Sequence, residues 1–257
     1  MSTVVSAAAH EYWFEPDSFF LGVKQSTQLH LFVGEALKSD EERVYQAAKT
    51  TTFDLFSPKG KFDMRSMADD DTSPILKFSA DFAGSYLFAM ERNWSYITLD
   101  AEKFEAYLHD EGMDYIIAER KRLGESKKDG RERYSRFIKT IIQVGDRQTS
   151  SALIRTDAKL EIVPLNNPYA KKVGDKFKFQ VWFDRRPQAN AVVFADNRDG
   201  DKITTQKVTT DKDGKASVKL NGKGIWLIRL VQMRRCEQKC GESDWESFWG
   251  ALSFGLK

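Results

Sequence analysis

No stretch of this sequence approaches the ~20 consecutive apolar residues that a membrane-spanning helix needs, so the 257 residues contain no span of that kind. An excess of one charge is also missing. Forty basic residues face 38 acidic ones, for a net charge of +2, which argues against a nucleic-acid binder that relies on broad phosphate neutralisation. Catalytic signatures are absent: there is no GxSxG elbow, no P-loop, no GxGxxG and no HExxH, and nothing nominates a nucleophile or a base. The sequence therefore reads as a non-enzyme. Histidine is scarce, with three residues, and His10, His30 and His109 are not at ligand spacing from one another. Cysteine is scarcer still. Cys236 and Cys240 stand as CxxxC and can close a small disulfide loop, bind a metal or stay reduced. Two thiols alone make an incomplete structural zinc site, so a disulfide is the expectation if the compartment is oxidising.

What is present is aromatic and strand-like. Eighteen Phe, eight Tyr and six Trp favour β-structure. Hydrophobic residues at 41% and charged residues at 30% mark a globular chain with enough length for a real core. "STQLHLFVG" alternates apolar and polar residues before a Gly stop. "TTFDLFSPKGK" places Phe53 and Leu55 on one face ahead of a turn at 57–60. "ILKFSADFAGSYLFAMERN" gives two strands around Ala83-Gly84, with Phe78, Phe82, Tyr86 and Phe88 facing a core. Over residues 100–123 the period changes to three or four, with Asp100 as a cap and Gly112 as the break between two short helices. "YSRFIKTIIQVG" leans to strand. Beyond residue 156 a second β-rich block follows, in which Asp211-Lys212-Asp213-Gly214 carries a hairpin-turn signature. Seven or so short strands in about 100 residues is what an immunoglobulin-like sandwich requires.

The amino terminus raises a processing question. Ala7-Ala8-Ala9 fits the A-x-A end of an export signal, with cleavage before His10, although no Lys or Arg precedes Lys24. Cleavage there gives His10 a free α-amine beside its imidazole, and amine and Nδ1 can then chelate one metal ion. Glu11 offers an oxygen ligand, and Glu15 another. Imidazole and amine nitrogens suit nickel, copper and zinc without choosing among them. A second candidate surface is "DWESFW", where Trp245 and Trp249 would stack on sugar rings if exposed, or pack in the core if buried.

Several stretches together carry a resemblance: "HEYWFEP", "FEAYLHDEGMDYIIAERKRLGESKKDGRERYSRFIKTIIQVG", "LEIVPLNNPY", "TTDKDGKASVKL" and "GIWLIRLVQM…DWESFWGALSF". In this order they resemble the bacterial DUF4198 family, which is of undetermined function and is associated with nickel/cobalt-uptake subunits of the NikM type. The resemblance implies export to the periplasm of a Gram-negative bacterium, with the signal removed just ahead of His10. It also implies a β-sandwich fold of the carbohydrate-binding-like or immunoglobulin-like kind. It implies a binding or accessory role in uptake of nickel or cobalt, with a membrane transporter component as partner. Many members have a histidine where this chain has Gln232, so a ligand present elsewhere in the family would be missing here.

The sequence thus predicts an all-β protein of two β-sandwich modules with a helical insertion at 100–123. Residues 1–9 are a signal remnant, 10–155 the N-terminal module and 156–257 the C-terminal one. The leading site is a transition-metal centre (nickel, cobalt or copper) on His10 and Glu11. The alternative is a carbohydrate- or cell-envelope-binding module built on Trp245 and Trp249.

Overall fold

A computed structural model describes residues 10–257; the expected signal remnant lies outside them. Strands β1 (Glu11–Pro16), β2 (Phe20–Leu21), β3 (Ser26–Glu35), β4 (Lys38–Glu42), β5 (Thr50–Ser57), β6 (Gly60–Asp63), β7 (Leu76–Ser79) and β8 (Gly84–Leu99) precede two helices, α1 (Ala101–Asp110) and α2 (Asp114–Arg122). After the helices come β9 (Gly130–Val144), β10 (Leu160–Pro164), β11 (Lys176–Phe183), β12 (Arg186–Pro187), β13 (Val192–Asp199), β14 (Lys202–Thr209), β15 (Lys215–Lys219), β16 (Gly224–Arg235) and β17 (Trp245–Leu256). The protein is all-β with a short helical pair, as its alternating apolar pattern predicts. Among the described residues, no helix is long and apolar enough to cross a membrane.

The strands form three layers. A nine-stranded sheet runs β14-β13-β16-β17-β9-β8-β5-β6, with β2 also paired to β9. One face is covered by the small sheet β1-β3-β4 with β7, the other by β10-β11-β12 with β15. Residue 155 therefore does not separate two modules, each with its own sheets. Strands from both sides of that point share the central sheet, and the seam is β9 against β17, paired in parallel from Trp245↔Glu132 to Ser253↔Thr140.

Alternation along the central strands supplies a core on each face. On one side Leu87, Phe137, Ile141, Ile228, Leu252 and Phe254 meet Phe177, Phe179 and Val181 of β11. On the other, Phe53, Phe88, Ile138 and Ile142 meet Trp13, Phe14, Leu29 and Leu31 of β1 and β3. Each fully buried aromatic or branched side chain contributes about 1.5–3 kcal/mol. Two sequence expectations need correction. Phe82 sits in the β7–β8 turn and is half exposed, with the Lys59 ammonium over its ring, because the chain must bend there. The Asp211–Gly214 turn forms, with the Gly214 amide donating to the Asp211 carbonyl. It is not a hairpin, since β14 pairs with β13 while β15 crosses to β11 in another layer.

The helical pair forms where the period changes. The Asp100 carboxylate accepts the Lys103 amide at 2.9 Å and caps α1. Phe104, Tyr107 and Leu108 then face inward, and Gly112 at φ +73° ends the first helix. The apolar face rests on β16 and β17 through Val231, Met233, Trp245 and Trp249. Close approach is possible because Gly130 has no side chain: a Cβ there would lie 2.1 Å from the Phe104 ring. Replacing Asp100 with alanine is expected to lower the urea midpoint with an unchanged slope, since the cap of α1 is lost.

Candidate functional site

The start of β1 and the residue ahead of it have sharply different surroundings. His10 is at the rim: its side chain is 28% exposed and its Nδ1 lies 2.7 Å from Asp40 Oδ2 on edge strand β4. Its carbonyl accepts a hydrogen bond from Arg136 Nη2 at 3.2 Å. Tyr12 lies under the Arg136 guanidinium, 4.0 Å from its ring centre, and its hydroxyl accepts from Arg43 Nε at 3.0 Å. Trp13 and Phe14 are fully buried and anchor the strand.

Glu11 does not join His10. It is buried, with Oε1 2.8 Å from Arg229 Nη1 and Oε2 accepting the Ala36 amide at 3.0 Å. This corrects its expected role as a metal ligand. The Arg229 charge and the Ala36 amide use its oxygens inside the molecule. Two more carboxylates share that guanidinium. Asp196 Oδ2 accepts from Nε at 2.7 Å, and Glu111 Oε2 lies 3.2 Å from Nη1. Burial pushes the Glu11 carboxyl up to about 8, a shift that Arg229 opposes and Glu111 and Asp196 reinforce. Glu111, at the end of α1, is raised for the same reason. Burial alone would lower Arg229, but the three carboxylates outweigh it and hold the guanidinium charged. The space left among these groups, Arg136 and Trp249 is about 10 Å³, room for one water. The cluster clamps β1, α1, β13 and β16 together and is too tight for an organic ligand.

A second buried carboxyl lies next to it. Glu132 accepts from the Ser247 hydroxyl and, at 3.3 Å, from the Tyr107 hydroxyl, and burial lifts it to about 7. Trp249 donates its indole N–H to Ser247 Oγ at 3.0 Å and stacks on Tyr107, with ring centres 5.9 Å apart. Trp245 and Trp249 are 1% and 5% exposed. They form the floor under α1 and α2, which removes them as a carbohydrate platform.

The remaining histidines are held singly. His30 is gripped on both ring nitrogens, by Asp17 at 2.9 Å and Glu42 at 2.7 Å. Burial opposes its charge, but those two carboxylates outweigh it and raise the imidazole's pKa. With both nitrogens engaged on opposite sides, these groups do not converge on one ion. His109 contacts Asp114 at 2.8 Å on the helical surface. Among the described residues, no group of three or more His, Cys, Asp or Glu side chains is arranged to hold a metal ion. Gln232 alternates with Arg229 and so points to the opposite face of the central sheet from Glu11. A histidine at that position would not face His10. Cys236 and Cys240 are joined in a disulfide.

The sequence reasoning missed Arg229, Asp196 and Glu111. A signal was there: Arg229 interrupts the apolar run "GIWLIRL" and Asp196 the run "AVVFADN", and single charges inside strands buried on both faces must find partners.

Known proteins add a family and little else. No curated protein matches the chain. Among solved structures it is similar to the tetra-tandem repeat in the extending region of a large adhesion protein (9% identity, 96% of this chain and 49% of that one, TM-score 0.23). It is also similar to the three N-terminal domains of the highly immunogenic outer capsid protein Hoc of bacteriophage RB49 (8% identity, 95% and 59%, TM-score 0.19). A third is trypsin-activated α2-macroglobulin from Escherichia coli (8% identity, 96% and 16%, TM-score 0.19). The chain spans less than two thirds of each of those chains. A family model described as a domain of unknown function matches residues 7–234, from ahead of β1 into β16. The chain belongs to the DUF4198 family.

Proposed function

We propose that this chain is a non-enzymatic extracytoplasmic binding protein that holds a transition-metal cation, nickel, cobalt or copper, at the start of β1 as cargo for a membrane transporter component. The observation that supports the reading is the placement of His10. It directly follows an Ala-x-Ala sequence, keeps its imidazole at the rim, and has Asp40 Oδ2 2.7 Å from Nδ1. With the peptide bond before His10 cut, its amine and Nδ1 form a two-nitrogen chelate and the Asp40 carboxylate supplies an oxygen. A mixed nitrogen and oxygen set with open positions suits tetragonal Ni²⁺ or Cu²⁺. Glu11 has no part in it, and its 2.8 Å contact with Arg229 fixes the strand that presents His10.

Two chains test this, one beginning at His10 and one keeping Ala9 ahead of it. Calorimetric titration with Ni²⁺ and Cu²⁺ is expected to show affinity at least about tenfold higher for the first. Asp40→Asn in that background is expected to weaken it by about tenfold again. Equal affinity for the two chains would refute the terminal chelate.

A further inference from the structure

On the face of the central sheet away from β1, the apolar core ends at Arg133 of β9, Arg234 of β16 and Glu246 of β17. Next to them lies an open cleft of about 460 Å³, within the range of small-ligand sites. Its walls are Trp94, Arg133, Lys159, Arg234, Glu246 and Phe248, together with residues 237–239. That last wall is the loop closed by Cys236 and Cys240.

The walls are fixed from behind. Arg133 is buried, lies 4.3 Å over the Trp94 ring, and is paired to Glu246. Its Nη1 and Nη2 donate to the Lys239 and Gln238 carbonyls at 2.6 and 3.0 Å, which ties the disulfide loop to the sheet. Glu246 also accepts from Arg234 Nε at 2.6 Å. Trp94 and Phe248 meet edge to face, 5.5 Å between centres, and make an aromatic floor. The rim is different. Lys159 and Arg234 share Asp184, at 2.6 and 2.7 Å, yet their side chains stay 40% and 42% exposed. Cations prevail: Arg133, Lys159, Arg234 and Lys239 against Glu237 and Glu246, and still four to three with Asp184 included.

An excess of cations over an aromatic floor, in a cleft of this size, selects a small anion with a carbon skeleton or a compact polyanion. Half-exposed Arg234 and Lys159 can turn from Asp184 to its oxygens, and guanidinium groups match carboxylate and phosphate geometry. We propose that this cleft binds a small organic or phosphate anion bearing at least two carboxylate or phosphoryl groups, with the disulfide-closed loop as one wall. This site is separate from His10 and stands or falls independently of the metal reading.

The probes are citrate and pyrophosphate, titrated calorimetrically into the intact oxidised chain at low ionic strength. At least one is expected to bind one to one, and the stronger of the two identifies carboxylate or phosphate as the preferred chemistry. Lys159→Ala and Arg234→Ala are each expected to weaken binding about tenfold. Both side chains are at the rim, and an unchanged circular-dichroism melt confirms that each variant folds. Lys202→Ala, on an exposed part of β14, is expected to leave affinity unchanged. The double variant Cys236→Ser with Cys240→Ser is expected to bind severalfold more weakly through loss of the pinned wall. No binding of either probe, binding indifferent to both rim substitutions, or an equal drop in the Lys202 variant would overturn the site. Unchanged affinity in the double serine variant would remove the loop from it.

Discussion

Replacing Arg229 with leucine is expected to lower folding stability by about 3–5 kcal/mol at neutral pH, the usual penalty for removing one partner of a buried charge cluster. Glu11, Glu111 and Asp196 all converge on that guanidinium, and none of the three is more than 12% exposed at its side chain. Without it, β1, the end of α1 and β13 bring three buried carboxyls together stripped of their shared guanidinium, in a site with room for one water. Urea unfolding at pH 7 measures the loss. It should shrink as the pH is lowered, since burial already raises the Glu111 carboxyl toward its protonated form, and it should shrink when Glu11→Gln and Asp196→Asn are added to Arg229→Leu, since neighbours in one network are not additive. A loss below about 1 kcal/mol would show that the carboxylates hold their places without the arginine.

The second large effect is on the pH profile. Glu11 at about 8 and Glu132 at about 7 both lie above the ordinary carboxyl value of 4.5. Between that value and the raised one, the folded chain holds a proton that the unfolded chain has released. Their contribution is therefore complete below pH 4.5 and declines as the pH rises. The decline approaches about 1.4 kcal/mol per pH unit per group. It comes from both groups up to pH 7, from Glu11 alone up to pH 8, and ends there. Asp17 and Asp244, whose carboxyls are lowered by His30 and Arg131 respectively, act in the other direction. They support the fold above the ordinary aspartate value and lose that support in acid. Urea midpoints from pH 4 to pH 9 should fall across the range from 5 to 8. Glu132→Gln should reduce the slope up to pH 7, and Glu11→Gln should reduce it up to pH 7 and abolish it between pH 7 and 8. A profile that rises with pH over that interval would mean that neither carboxyl is protonated in the fold.

Much of the architecture is local and so was legible. The alternation of "STQLHLFVG" is β3, the run "TTFDLFSPKGK" is the β5–β6 hairpin, and the change of period after Asp100 is the helical pair with its break at Gly112. What was hidden is long-range. Nothing near Glu132 or Trp245 announces that they pair across 113 residues, so the common central sheet looked like two modules. The Asp211–Gly214 turn misled for the same reason: turn chemistry sets the bend but not the layer that the next strand joins. Glu11 was misread because the identity of its partner, Arg229, depends on where β16 passes. The burial of Trp245 and Trp249 was one of two open readings, and the helices that cover them decided it.

The place of β17 bears on how such a chain is made. It occupies the middle of the widest layer, yet it follows both its neighbours in synthesis. Until residues 245–256 have emerged, β9 and β16 each expose a bare edge, and those edges invite other chains. A nascent polypeptide stopped short of them cannot lock its scaffold, and closure then waits on a contact between distant segments, a slow step. A chain held open in this way keeps its widest sheet divided in two until residues 245–256 arrive.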